Sequence, residues 1–535
     1  MERISQEELE ILTKLEIEDP ITALNVLHEY EQRFSSDPNF ESNCGGVYVD
    51  IGTLLLRRDL VVQGIRQIES LLQKSDYDDR PTLFYNVGNG YHTLQTLDQQ
   101  QLGYRFDPDN TPLTKAKFWY RKALAKETEL YPDLRCELWV NYGNCLSALG
   151  RTAEAITAYD RALQINPQHA MAIGNLGMEL IHFADAAEHG SFLFDALDLL
   201  DQALATNNFE KYGGTAHAGD AFAEARRQAI AVIKERGWER PKPKTLIQPE
   251  ITSQVEEYAQ FSAERELFLN FCLRCRKCTG YARDRFSLSI ITNIDDPGRV
   301  VRLSRVINEI RESHAFARFL FFQSQHPFVD TIAIDEMTPY IDNLDYAVYG
   351  TRVASLKSSF ENAYGVLDKI AYFLSEYLEL GVAPSKIAFT TNGQVWNKGN
   401  DDSLRESLRD LNNYYLFALY DIARDLFVNV ESSEQDGYFG QLRRTRNRLA
   451  HEYIIPHIED LHWEVDVDAA DCHLSYQDLV TRTLTLLQLV KASVIYLISF
   501  IRQEEYKKHH AKSDRLFERE AEPYDATLFG GALDS

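Results

Sequence analysis

The chain has 535 residues, 44% hydrophobic and 26% charged, which is ordinary for a globular protein with sizeable cores and leaves room for two to four domains. Its 81 acidic residues outnumber 56 basic ones, so a net charge of -25 excludes coating of nucleic acid by general electrostatics and confines any RNA contact to a local basic site. The seven cysteines are odd in number and thinly spread, and the Glu-rich first 25 residues lack a basic flank followed by an apolar run, so neither a disulfide framework nor a signal peptide is expected and a reducing cytoplasm fits best.

In chain order, Ile21 to Phe34 is predicted as a leading helix. Beyond it, one repeat unit is clear: Cys136, Trp139, Tyr142, Gly143, Leu146, Ala155, Tyr159, Ala162 and Pro167 fall at the spacing of two antiparallel helices whose small residues permit close approach. That pattern resembles the tetratricopeptide repeat. With its phase fixed, degenerate copies emerge at Gly52, Leu55, Gly64, Ile68 and Leu71. Another runs from Phe84, Gly88 and Tyr91 to Ala116, Tyr120 and Ala123, across a loop holding Asp107, Pro108 and Asp109. The last joins Leu176, Gly177 and Leu180 to Ala196, Leu200 and Ala203. Residues 1–240 are therefore expected to form an α-solenoid of about four repeats, whose acidic loops favour a basic protein or peptide ligand.

The proline-rich stretch at 241–250 cannot continue a helix and is expected to be a linker. Residues 251–349 read as a mostly helical connector, with a helix from Val255 to Cys278, a short strand at Leu288 to Thr292, a turn at Asp295 to Gly298 and a helix from Val300 to Ser313. From 350 to 510 the periodicity is that of an up-and-down helical bundle. Phe360, Tyr364, Leu367, Ala371, Leu374 and Leu378 form one apolar stripe; further helices are expected at Leu404 to Val428, Gln441 to Tyr453 and Leu479 to Ile501. The last is apolar, yet Arg482, Gln488 and Lys491 interrupt it, as suits a buried bundle helix better than a membrane span. Residues 511–535 read as a polar tail, and the fold class as all-α.

Within the third bundle helix, Arg443, Arg444, Arg446 and Arg448 accumulate against a single Glu452, a local reversal of the chain's acidity. Asn447 and His451, four residues apart, share one helix face, and Arg446 beside them has the reach to converge there. An imidazole can exchange a proton near neutrality and a guanidinium can hold a phosphate, so these groups suit proton transfer at a ribose hydroxyl next to a phosphodiester. The bland alternative is an arginine-rich solvated face with His451 packed at a helix end.

The bundle, its short third helix and the run Arg446-Asn447-Arg448-Leu449-Ala450-His451 resemble the HEPN superfamily, and Ala363 to Tyr372 resembles that family's first helix in a branch associated with bacterial conflict systems. The resemblance implies a metal-independent endoribonuclease with Arg446, Asn447 and His451 as catalytic residues. It also implies a homodimer whose two motifs share one cleft, with no cofactor and a toxin or antiviral role. Tyr453 extends the motif toward that of HEPN toxins adenylylated by a nucleotidyltransferase antitoxin, although a structural tyrosine is commoner. Asp368 either orients an arginine or histidine of the site or is a helix-surface carboxylate.

Cys272, Cys275 and Cys278 recur at steps of three on a predicted helix, with Cys472 and His473 far off in sequence. Three ligands along one helix fit tetrahedral closure poorly, so half-buried thiols are the better reading. There is no Walker-type Gly-rich loop and no His-Glu-x-x-His helix. Against a repeat-regulated ribonuclease stands a different class of function, a non-catalytic scaffold in which both halves only bind partners.

Overall fold

The computed structural model describes residues 3–35, 37–74, 77, 80–102, 107–187, 190–209, 211, 217–240, 253–274, 283–286, 288–293, 298–341, 346–391, 393–397, 403–427, 439–458, 473–510 and 516–520. The chain divides into two compact units, Met1–Lys242 and Pro243–Ser535.

The first unit is a series of helical hairpins. They are α1 (Gln6–Glu18) with α2 (Pro20–Phe34), α3 (Pro38–Leu54) with α4 (Arg58–Leu71), and α5 (Pro81–Leu102) with α6 (Thr111–Leu124). Next come α7 (Pro132–Ala148) with α8 (Thr152–Ile165), α9 (Ala170–Ala187) with α10 (Ser191–Thr206), and a final helix α11 (His217–Arg236). The leading helix expected from Ile21 thus has a partner before it: α1 starts on the Ser5 and Glu8 capping box and sends Leu12 into a cluster with Leu27 and Phe34.

Close approach within the hairpins explains the spacing of small residues. A Cβ on Gly143 of α7 would lie 2.6 Å from the Tyr159 ring of α8, and one on Gly88 of α5 equally close to the Tyr120 ring of α6. Ala116, Ala123, Ala155 and Ala162 are buried on either side of those rings. Neighbouring hairpins are joined by amides and phenols. Asn89 Oδ1 accepts from Tyr120 Oη at 2.9 Å and Asn141 Nδ2 at 3.1 Å, and Asn144 Oδ1 accepts from Tyr159 Oη at 2.9 Å and Asn175 Nδ2 at 2.8 Å.

The second unit contains α12 (Gln254–Glu264), α13 (Gly298–Gln325), α14 (Thr331–Asp335), α15 (Thr351–Tyr377), α16 (Glu406–Arg409), α17 (Tyr414–Asp425), α18 (Gly440–His451) and α19 (Tyr476–His510). Four short strands accompany them: β1 (Ser289–Asn293), β2 (Ile455–His457), β3 (His473–Ser475) and β4 (Leu516–Glu520). α13 packs along α15, and α19 packs against α15 and α17. Phe321, Phe360, Leu367, Leu374, Leu419, Leu486, Val490 and Leu497 are among the buried apolar residues of these helices.

Several expectations need correction. The helix expected from Val255 to Cys278 stops at Glu264, because Glu266 turns to φ 59° and Leu267, Phe268 and Leu269 enter the core as irregular chain. That irregular backbone is satisfied from α13: the His314 ring bonds Leu267 O at 2.8 Å through Nε2, and Arg318 reaches Leu267 O at 3.2 Å and grips Asp284 at 2.8 and 3.0 Å. The helix expected from Val300 to Ser313 runs on to Gln325. The one expected from Leu404 to Val428 is broken, since Asn412 adopts φ 45° and the Asn413 side chain caps α17 by accepting from Tyr415 N at 3.0 Å and Leu416 N at 3.2 Å. The stretch read as a polar tail supplies β4, which pairs antiparallel with β1 from Ser289 opposite Glu520 to Asn293 opposite Leu516.

α19 is long and apolar enough to cross a membrane, with a mean hydropathy of 1.9 in its most apolar window, but 83% of that window is buried inside the protein. Its polar interruptions are all engaged. Arg482 donates to Thr445 Oγ1 at 3.1 Å, Gln488 to Arg265 O at 3.1 Å and Lys491 to Cys272 O at 2.8 Å. Burial lowers the Lys491 ammonium to about 8.

Candidate active site

The short helix α18 is held by one face. Leu442 and Thr445 are buried and Leu449 is half-buried, while Asn447 and His451, on another side, are exposed. The helix ends at His451, Glu452 leaves helical geometry at φ -136°, ψ -125°, and β2 follows. Arg482 of α19 holds the helix from beneath through Thr445.

The arginines of α18 divide by partner. Arg448 pairs with Glu452 one turn on and so is partly neutralised. Arg446 lies with its guanidinium carbon 5.6 Å from the centre of the Tyr364 ring on α15, and its Nη1 donates to Asn447 Oδ1 at 3.2 Å. Arg443 lies over Phe427 at 5.8 Å, and its buried Nη1 has no hydrogen-bond partner.

Asp368, one turn beyond Tyr364 on α15, faces these arginines. Its Oδ1 accepts from Phe389 N at 3.1 Å. Burial raises its pKa, opposed in turn by the Phe389 hydrogen bond, Arg446, Lys369 and Arg443. Burial likewise raises the Tyr364 phenol, with Asp368 adding to the shift and Arg443 and Arg446 opposing it. One half-buried carboxylate therefore stands against two guanidiniums, so the cluster retains positive charge.

Arg443, Arg446, Asn447 and Asp368 are thus brought to one place, with His451 exposed a turn beyond Asn447 along the same helix. Arg448 is turned to Glu452, and Tyr453 stands 60% exposed past the helix end. Tyr364 completes the cluster, although in the sequence it is one aromatic of an apolar stripe and nothing marks it as a platform for Arg446.

Sequence reasoning also misses a histidine pair: His457 of β2 and His473 of β3 share a hydrogen bond of 2.8 Å between Nε2 and Nδ1, their strands being parallel neighbours. Cys272 is half-buried, and Cys275, Cys278 and Cys472 lie outside the described residues. Among the described residues no group of three or more His, Cys, Asp or Glu side chains is placed to hold a metal ion.

In the repeat unit, a groove of about 490 Å³ is lined by Asp50, Asn86, Asn89, Glu137 and Asn141, among others. Burial alone raises Asp50 to about 6, and burial with nearby Asp133 raises Glu137. The groove's carboxylates are these two, whereas Asp107 and Asp109 belong to the turn before α6.

Comparison with known families agrees with this architecture. Residues 294–504 match the LA2681-like HEPN family, and residues 136–169 match the tetratricopeptide repeat. No curated protein matches the chain.

Proposed function

From the premise that the chain joins an N-terminal tetratricopeptide array to a LA2681-like HEPN domain, we propose that the HEPN domain is a metal-independent endoribonuclease whose activity the array regulates. The observation that carries this reading is the incompletely neutralised pair Arg443 and Arg446, set beside Asn447 and His451 on a solvent-facing helix.

His451, as the neutral imidazole, takes the proton of a ribose 2'-hydroxyl while that oxygen attacks the adjacent phosphorus. The 2'-O–P bond forms, the P–O5' bond breaks, and the departing 5'-oxygen leaves as a hydroxyl after taking up a proton. Arg446 and Arg443 stabilise the extra negative charge of the pentacoordinate phosphate, an electrostatic effect worth about 3 kcal/mol, or on the order of a hundredfold in rate. Asn447 positions Arg446 through its amide oxygen, and its amide N–H group remains to meet a phosphate oxygen. Asp368 and Tyr364 fix the orientation of the arginines from α15. The nucleophile belongs to the substrate, so the step needs no metal-activated water.

Two copies of the motif sharing one cleft would supply a second proton-transfer group for the leaving oxygen, so the active species is a homodimer. The groove holding Asp50 and Glu137 suits a basic protein or peptide segment as the regulatory ligand. The biological role is that of a toxin or antiviral effector in the cytoplasm, and the exposed Tyr453 is open to adenylylation by a nucleotidyltransferase antitoxin.

The test is incubation of full-length protein with RNA in EDTA. Cleavage should leave 2',3'-cyclic phosphate ends, and His451→Ala and Arg446→Ala should each reduce it at least about a hundredfold with the melting temperature unchanged. Inhibition by EDTA, or equal cutting of DNA, would refute the mechanism. Protein that binds partners but cuts no RNA as a dimer, with or without a groove ligand, would favour the scaffold.

A further inference from the structure

The first two hairpins enclose a pocket of about 670 Å³ where α2 meets α3 and α4. That volume suits a small organic ligand. Phe40 and Leu71, both buried, and half-buried Val62 give it an apolar wall. Gln63, Arg66, Gln67 and Ser70 line it from one face of α4.

The polar part of the pocket is organised around Glu31 of α2. Its Oε2 accepts from Tyr48 Oη at 2.6 Å, and its Oε1 accepts from Gln67 Nε2 at 3.0 Å and from Cys44 Sγ at 3.6 Å. Burial first and Glu31 second raise both the Tyr48 phenol and the Cys44 thiol, so both stay protonated and donate. Gln67 turns its amide N–H to Glu31 at the cost of leaving its own Oε1 buried without a hydrogen-bond partner. A carboxylate has about four acceptor positions, and these three donors leave one open on Oε2.

Among the described residues no cation forms an ion pair with Glu31, whose hydrogen bonds come from a phenol, an amide and a thiol. The other acids lining the pocket are engaged, Glu41 by Lys74 and Asp59 by Arg57. Glu31 is therefore a half-buried acid with its hydrogen bonds arranged and no counter-ion, beside a cavity large enough to admit one.

We propose that this pocket binds a small organic amine, its ammonium group on Glu31 and its apolar body against Phe40, Val62 and Leu71. Charge selects that class: a neutral ligand would leave the acid without a counter-ion, and an anion would meet it as a like charge. Arg66, exposed on α4 and without an ion pair among the described residues, is the group an anionic ligand would use instead. The pocket is separate from the groove of the array. α3 gives Phe40, Glu41 and Cys44 to the pocket but Val49, Asp50 and Thr53 to the groove, and at about 100° per residue the two sets point to opposite sides of the helix. A bound amine thus leaves the groove open, and the inference stands whether or not the HEPN domain cuts RNA.

The experiment titrates full-length protein by calorimetry with phenethylamine and hexylamine, beside the neutral phenethyl alcohol and the anionic phenylpropionate. The amines should bind with dissociation constants of about 1 mM or tighter, at least about tenfold below those of the alcohol and the anion. Glu31→Gln should weaken amine binding at least about tenfold and leave the alcohol unaffected. Because that substitution also disturbs the bonds from Tyr48 and Gln67, Ser70→Trp is measured beside it. Ser70 is exposed and lines the pocket, so an indole there fills the cavity with Glu31 intact; amine binding should be lost and the melting temperature unchanged. No binding of either amine at about 10 mM, an alcohol or anion that binds as tightly as the amines, or amine binding retained by a folded form of either variant would overturn the inference.

Discussion

The two units tie their helices together with different balances of neutral and charged groups. In the array, Asn89 gathers Tyr120 and Asn141, Asn144 gathers Tyr159 and Asn175, and the Glu179 carboxyl, accepting from Ser147 Oγ at 2.6 Å, is raised by burial to about 7, so these links between helices are neutral, although buried Arg121 also donates to Tyr142 Oη at 2.7 Å and buried Arg151 pairs with Glu154. In the HEPN unit the prominent buried links are charged. Arg318 is clamped to Asp284, Lys491 is held by a backbone carbonyl, and beside α18 two guanidiniums, Arg443 and Arg446, face the single Asp368 carboxyl. Neutral linkages fix a shape without generating a field, whereas an under-compensated guanidinium pair is a standing attraction for an anion. On the proposed function, recognition of a partner falls to the array and handling of a phosphate to the bundle.

The sharpest way to break this assignment is Arg443→Met, which keeps the stem over Phe427 and removes the charge. If the cluster is poised for a phosphate, cleavage should fall by about a hundredfold while stability is unchanged or rises by a few tenths of a kcal/mol, since a partly desolvated cation is lost. A fall in melting temperature with cleavage intact would make Arg443 a structural residue. Measurement needs only single-turnover cleavage and a thermal melt of the same sample.

The converse experiment belongs to the array. Gly143→Val drives a branched side chain into the Tyr159 ring, where even a bare Cβ would approach to 2.6 Å. The array's unfolding transition should lose about 3 kcal/mol, the upper end of overpacking, while the intrinsic cleavage rate of the HEPN domain is unaffected. Equal losses in the calorimetric transitions of both units would show that the two do not unfold separately.

These substitutions also show what was legible in the sequence. Gly143, Ala155, Tyr159 and Ala162 announce their hairpin because a small residue facing a large one recurs in the chain itself, and the helical class of the whole protein follows from similar periodicity. The part of the candidate site carried by α18 was legible for the same reason: Arg446, Asn447 and His451 are local, and their basic surroundings stand out from an acidic chain. Tyr364 was not, because an aromatic on an apolar stripe looks like core until tertiary packing places Arg446 above it. Asp284 and Arg318 are separated by 34 residues with no pattern between them, and the capping by Asn413 is visible only once Asn412 has turned left-handed. Pairing of β1 with β4 joins residues more than two hundred positions apart, beyond the reach of any local signal.

The smallest expected effect follows from Glu179. Its side chain is only 3% exposed, Oε2 takes the Ser147 hydroxyl, and Oε1 has no hydrogen-bond partner. Burial outweighs that hydrogen bond and lifts the carboxyl from 4.5 to about 7. Between those pH values the folded array retains a proton that the unfolded chain releases, so stability must fall as pH rises. The contribution is fully present below the unfolded pKa near 4.5 and is lost as pH climbs through about 7. By linkage the loss lies between about 1 and 3 kcal/mol, the upper figure assuming no relaxation around the ionised group. Glu16, also buried and raised to about 8, adds a slope of the same sign, so the wild type alone cannot isolate either residue. Glu179→Gln resolves them, because an uncharged amide can still accept from Ser147 and cannot ionise. Denaturant unfolding from pH 5 to 8 should show a shallower decline in the variant, which should be the more stable protein at pH 8 and nearly equal to the wild type at pH 5. Parallel curves for the two proteins would mean that Glu179 is already ionised in the fold at neutral pH.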